Sequence, residues 1–173
     1  MVVAFELARL PDPVRRPVAR VLTEDAGHEE AIEAAEAFLA RGGEAGPDLQ
    51  VALAVLTMED AERFLPSALG EAAARALTLL DEALALGAPD PGALGEVRAR
   101  CARTLRRERA RERRLEDLLA DPSAARPTEL MELAHRVLMR GDDDGLAAAL
   151  MTEAGDRVAP TPSEHPPAYA SSL

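Results

Sequence analysis

VRARCARTLRRERARERR, residues 97–114, decides how the rest of the chain is read. Nine of these residues are Arg and only Glu108 and Glu112 oppose them, so the segment carries +7 in a chain of net charge −11. It contains no Gly and no Pro. On a helix, Arg100, Arg103, Arg107, Arg111 and Arg114 fall at spacings of three and four and form one continuous basic stripe. Opposite runs an apolar seam, Leu94, Val97, Cys101 and Leu105, which turns polar at Glu108 and Glu112 before Leu115 and Leu119 restore it. The pattern predicts a long helix with packed ends and a solvated middle. Asp90-Pro91 supplies a start signal, a capping acid followed by Pro at the first helical position. Asp121-Pro122 supplies the stop, giving about thirty residues near 91–120, or ~45 Å at 1.5 Å per residue.

Outward from this segment, apolar periodicity predicts further helices on both sides. Residues 1–11 are mildly apolar and read equally as a short helix or an extended arm. Asp12-Pro13 or Pro17 opens the first helix, with Val18, Val21 and Leu22 inward, up to about Glu24. His28 to Arg41 places Ala31, Ile32, Ala35, Phe38 and Leu39 on one face and Glu29, Glu33 and Glu36 on another, ending at Gly42-Gly43. Asp48 caps a third helix, and Thr57 with Asp60 signals a fourth. Ser67 opens the next, with Leu69, Ala73, Leu77 or Ala76, Leu80, Ala83 and Leu84 inward and Gly87 at its end. After the long helix, Thr128 starts one with Leu130, Leu133, Ala134, Val137 and Leu138 inward, closed by Gly141. A last helix from about Asp143 to Ala154 turns Leu146, Ala149 and Leu150 inward. No alternating strand pattern persists. The expectation is an all-α chain: one helical domain over 1–156, then a disordered Pro-rich tail over 157–173.

Composition narrows the function. The chain has 173 residues, 2% aromatics, no Trp and one cysteine. All its basic side chains besides His are Arg, and none is Lys. One cysteine excludes an internal disulfide framework and a Cys-based zinc site, and it suits a reducing, cytoplasmic location. The start MVVAFELARL lacks the basic beginning and long apolar run of a signal peptide. No stretch approaches the ~18 apolar residues of a membrane span. Overall acidity disfavours nucleic acid, whose binding needs many cationic phosphate contacts, and only the Arg ridge escapes that restriction.

Two segments carry resemblances. PVARVLTEDAGHEEAIEAAEAFL, residues 17–39, resembles a tetratricopeptide repeat. Ala19 stands at the small position of its first helix, Val18 and Leu22 at apolar positions, Gly27 in the turn and Ala31 at the small position of the second helix. ELMELAHRVLMRGDDDGLAAAL, residues 129–150, matches the same pattern at Leu133-Ala134, Val137 and Gly141-Asp142, with Leu146 where a small residue belongs. The large aromatics of such repeats are absent, and the spacing of about 34 residues lapses in the middle of the chain. The resemblance covers about a third of the chain. It implies a short array of antiparallel helix pairs that binds a partner peptide or helix; the residues alone also fit an irregular helical bundle. Separately, Glu132, His135, Arg136 and Val137 resemble the phosphoacceptor stretch of one group of sensor histidine kinases, with Leu138-Met139 replacing that family's Lys-Asn pair.

The candidate partner-binding residues are Arg100, Arg103, Arg107, Arg111 and Arg114. The ridge admits three readings: solvated and held by in-helix pairs such as Arg109 with Glu112 and Arg113 with Glu116 or Asp117; docked on an acidic face such as Glu29, Glu33 and Glu36, in the same chain or a second copy; or open to an external anionic partner. His28 reads as an ordinary first-turn residue, and His165 lies in the tail. Asp142, Asp143 and Asp144 read as a turn with helix capping, since the ligand spacing of a calcium loop is missing. Cys101 on the seam reads as a small buried residue. There is no phosphate-binding loop, dinucleotide fingerprint or nucleophile motif. The expected function is therefore non-enzymatic and cofactor-free: a cytoplasmic protein–protein interaction module acting as adaptor, chaperone or regulatory subunit, with homo-oligomerisation through the long helix open. Anion or nucleic-acid binding by the ridge is the alternative, and phosphotransfer at His135 a remote one.

Overall fold

A computed structural model describes residues 5–88, 90–141 and 143–158. Most of the expected tail, residues 159–173, and His165 with it, lies outside the described residues. Among the described residues there are seven α-helices, three short 3-10 turns and no strand, so the chain is all-α as its periodicity demands. The helices are α1 Asp12–Glu24, α2 His28–Ala40, α3 Pro47–Phe64, α4 Leu69–Ala85, α5 Pro91–Ala120, α6 Pro127–Arg140 and α7 Asp144–Val158. Contacts divide the chain into two compact units, the first ending at Ala110 and the second beginning at Arg111.

In the first unit α1 packs on α2, α2 on α3 and α3 along α4. α1 begins at Asp12 and runs through Pro17, whose missing N–H leaves the Pro13 carbonyl without its helical donor. Val14, Val18 and Val21 hold the helix to the core. The turn to α2 needs two left-handed residues, Asp25 at φ 54° and Gly27 at φ 80°.

α3 is the centre of this unit. Every residue from Asp48 to Met58 is buried, which is how a helix behaves when it is apolar all round. The helix break expected at Thr57 does not occur. With no Gly or Pro between Pro47 and Pro66, nothing interrupts the backbone ladder, and the Thr57 hydroxyl is buried rather than capping. Asp48 is not the cap either. Gly46 holds that position and Asp48 sits in the first turn, where its Oδ1 accepts the Glu6 N–H at 2.7 Å. That bond, with buried Phe5 and Leu10, ties down residues 5–10, which form a 3-10 turn at Leu7–Arg9.

α4 starts at Leu69, after a 3-10 turn over Pro66–Ala68, rather than at Ser67. Its buried face is mostly Ala: Ala72, Ala73, Ala76 and Ala83 beside Leu80. Leu84, expected inward, is exposed. A Cβ at Gly70 would come within 3.3 Å of the Glu108 Cβ, so α4 and α5 approach closely there. This explains the first polar position of the α5 seam, because Glu108 lies half-buried over a glycine, while Glu112 is exposed.

The second unit joins the end of α5 to α6 and α7. Its core is Leu115, Leu118, Ala125, Leu130, Leu133, Ala134, Val137, Ala147, Leu150 and Ala154. Three expectations are corrected here. Leu118, not Leu119, faces inward from α5; Leu138 of α6 is exposed; and α7 buries Ala147, Leu150 and Ala154 while Leu146 and Ala149 face out. In α7 the shift follows from the start of the helix. Asp143 stands before it and its Oδ1 accepts the Leu146 N–H at 2.9 Å, which fixes Ala147 as the first inward position.

Candidate interaction surface

The α5 arginines divide by their partners. In the first unit Arg98 reaches Asp81 of α4 at 2.7 Å, and Arg100 pairs with Glu62 of α3. In the second, Arg111 meets Glu132 of α6 at 2.8 Å. Arg114 meets Glu129 at 3.5 Å and donates to the Ala124 carbonyl at 3.3 Å. Between these two sets, Arg103, Arg106, Arg107 and Arg109 are exposed and form no ion pair or hydrogen bond with any described residue. The in-helix pairs expected for Arg109 and Arg113 are not formed among the described residues. Nor does the acidic row of α2 meet the ridge, because Glu36 pairs with Arg75 of α4. The ridge is thus fastened within each unit by acids of neighbouring helices, and its two central members are left bare.

Glu129 shows how firmly the second set is held. It accepts the Arg126 N–H at 2.8 Å and an Arg126 guanidinium N–H at 3.3 Å. The Arg126 side chain first, then its backbone N–H, and also Arg114, lower the Glu129 carboxyl to about 2. The acid closes the first turn of α6 from its third helical position.

Beside the first-unit arginines, a cleft of about 230 Å³ lies between α3 and α5. Val55, Met58, Val97 and Cys101 supply its apolar lining, and Glu59, Glu96, Arg100 and Arg103 its charges. Cys101 is 1% exposed. Burial pushes its thiol up, against the opposing pull of Arg100, so it is held as a neutral thiol and not as a reactive thiolate. Behind Glu59 stands His28, in the first turn of α2 as its sequence position suggests, and fully buried. Its Nε2 lies 3.5 Å from Glu59 Oε2, and its ring meets Phe64 edge-on at 6.2 Å between centroids. The sequence held a signal for this position: His28, Ala31 and Ala35 recur at i, i+3 and i+7, on the buried face of α2.

His135 is exposed on α6, and Glu132, one turn before it, is engaged with Arg111. Asp143 is committed to capping α7. Among the described residues no group of three His, Cys, Asp or Glu side chains is placed to hold a metal ion, and no helix is long and apolar enough to cross a membrane. No family model, curated protein or solved structure matches the chain.

Proposed function

We propose that the chain is a non-enzymatic protein–protein interaction module, an adaptor, chaperone or regulatory subunit of a larger cytoplasmic complex, and that its partner docks an acidic surface on the middle of the α5 ridge. One observation carries this reading. Arg103 and Arg107 are bare in a chain with 31 acidic residues, while Arg98, Arg100, Arg111 and Arg114 are each matched to an acid. Like charges at helical spacing of three or four repel by about 0.2–0.5 kcal/mol per pair. A partner that supplies carboxylates relieves this repulsion, and arginine is enriched among residues that dominate interfaces. Kinship to tetratricopeptide repeats belongs to the same proposal. It is supported by the α1–α2 pair joined through Gly27, with Ala31 fully buried at its small position.

Reversing both charges, Arg103→Glu with Arg107→Glu, is expected to weaken partner binding by about thirtyfold or more, on the scale of about 2 kcal/mol or more for an interface hot spot. Capture from a native lysate, compared between the wild type and this variant, measures it. Loss of no captured protein overturns the assignment to the ridge. Nucleic acid is the second reading favoured by the same bare arginines. It requires a shift with DNA or RNA at low salt that falls steeply as salt is raised. A second copy of this acidic chain is the remaining occupant, and a concentration-dependent sedimentation coefficient that the double reversal abolishes identifies it.

A further inference from the structure

The α3–α5 cleft holds a carboxylate that the protein itself leaves poorly served. The Glu59 side chain is only 14% exposed, yet no donor among the described residues forms a hydrogen bond to it. His28 is its nearest basic neighbour. That imidazole is 1% exposed, points Nε2 at Glu59 from 3.5 Å, and has no hydrogen-bond partner at either nitrogen. Arg63, one turn further along α3, is drawn to Asp25 at 2.5 Å. Arg100 is drawn to Glu62. Glu96, exposed on the facing helix, adds a second carboxylate at the mouth. A carboxylate taken from water without donors is unfavourable, and a cation that brings N–H groups offsets that cost.

We infer that this cleft binds a primary alkylammonium group. The ammonium is a compact charge with three rotatable donors on a flexible apolar stem. Glu59 and Glu96 receive the donors from two helices, and Val55, Met58 and Val97 line the stem. The chain contains no Lys, so no side chain of its own and none of a second copy supplies the group. The source is a lysine of another protein or a free aliphatic amine. The inference stands apart from the ridge proposal, although Arg100 and Arg103 of the ridge also line the cleft.

Methyl NMR of the full chain, titrated with three probes, tests it: capped Gly-Gly-Lys-Gly-Gly, the same peptide with an acetylated lysine, and cadaverine. The lysine peptide is expected to shift the Val55, Met58 and Val97 methyls saturably, and acetylation to weaken binding by about tenfold or more. Tighter binding of cadaverine than of the peptide assigns the site to a free amine, and the reverse to a protein side chain. Glu59→Gln is expected to abolish the shifts. Because it also removes the neighbour of His28, Glu96→Gln at the exposed mouth is the second variant, expected to weaken binding several-fold with an unchanged unfolding midpoint. Arg107→Glu, outside the cleft lining, should leave amine binding intact while disrupting the ridge, which separates failure of one proposal from failure of the other. No saturable shift with either amine, or equal shifts with the acetylated peptide, overturns the inference.

Discussion

Glu129 and Cys101 give the sharpest readouts at the scale of single residues. The Glu129 carboxyl, at about 2 in the folded chain, lies well below an ordinary glutamate near 4.3. A folded pKa below the unfolded one means that the ionised acid stabilises the fold above the unfolded value. That contribution fades as pH falls from there through about 2. Carbon-detected titration of the Glu129 carboxyl should show the low midpoint. Glu129→Gln should lower the urea midpoint at pH 7 and make progressively less difference as pH falls below 4. An equal deficit at every pH contradicts the Arg126–Glu129 account. For Cys101, burial and a raised pKa predict that a thiol reagent labels the native chain at least roughly 100-fold more slowly than the urea-unfolded chain. Rapid native labelling would place the thiol outside the core.

At the scale of elements, the stability of the first unit rests on α3 and on how closely α4 packs beside it. Leu53 is 1% exposed on α3, and Leu53→Ala is expected to cost about 2–5 kcal/mol, the usual range for a buried leucine. Ala76 is fully buried on α4, so Ala76→Leu is expected to cost about 1–3 kcal/mol by overpacking. Urea denaturation checks both, and a neutral Ala76→Leu would mean that the α3–α4 contact has room to spare. Helix limits were legible where the chemistry was local. Asp90-Pro91 foretold the start of α5, and Asp90 Oδ1 accepts the N–H groups of Gly92 and Ala93 at 3.0 Å. Asp121-Pro122 foretold its end. Limits were misread where burial overrode a local signal. Thr57 and Asp48 resemble caps in sequence, but α3 is buried on every side from Asp48 to Met58 and its backbone continues past both. In α7 the inward face was misplaced because fixing it required knowing which of three adjacent aspartates caps the helix.

Across the whole molecule, charge is distributed in a way that sequence showed in outline only. The stripe of Arg100, Arg103, Arg107, Arg111 and Arg114 was legible from spacing alone. Which of its members are matched was not, because their acids lie far off in sequence: Glu62 for Arg100, Glu132 for Arg111 and Glu129 for Arg114. The same limit hid the meeting of His28 with Glu59. Exposed pairs of this kind contribute only about 0–1 kcal/mol each, so the matched arginines add little to stability. Quantitative affinity capture with three forms of the chain tests the proposed docking on the ridge most directly: wild type, Arg103→Glu with Arg107→Glu, and Arg16→Glu as an exposed control on α1. The predicted result is a specific partner retained by the wild type and by the α1 control and lost by the ridge variant. The same partner retained equally by all three would contradict the assignment of the binding surface to α5.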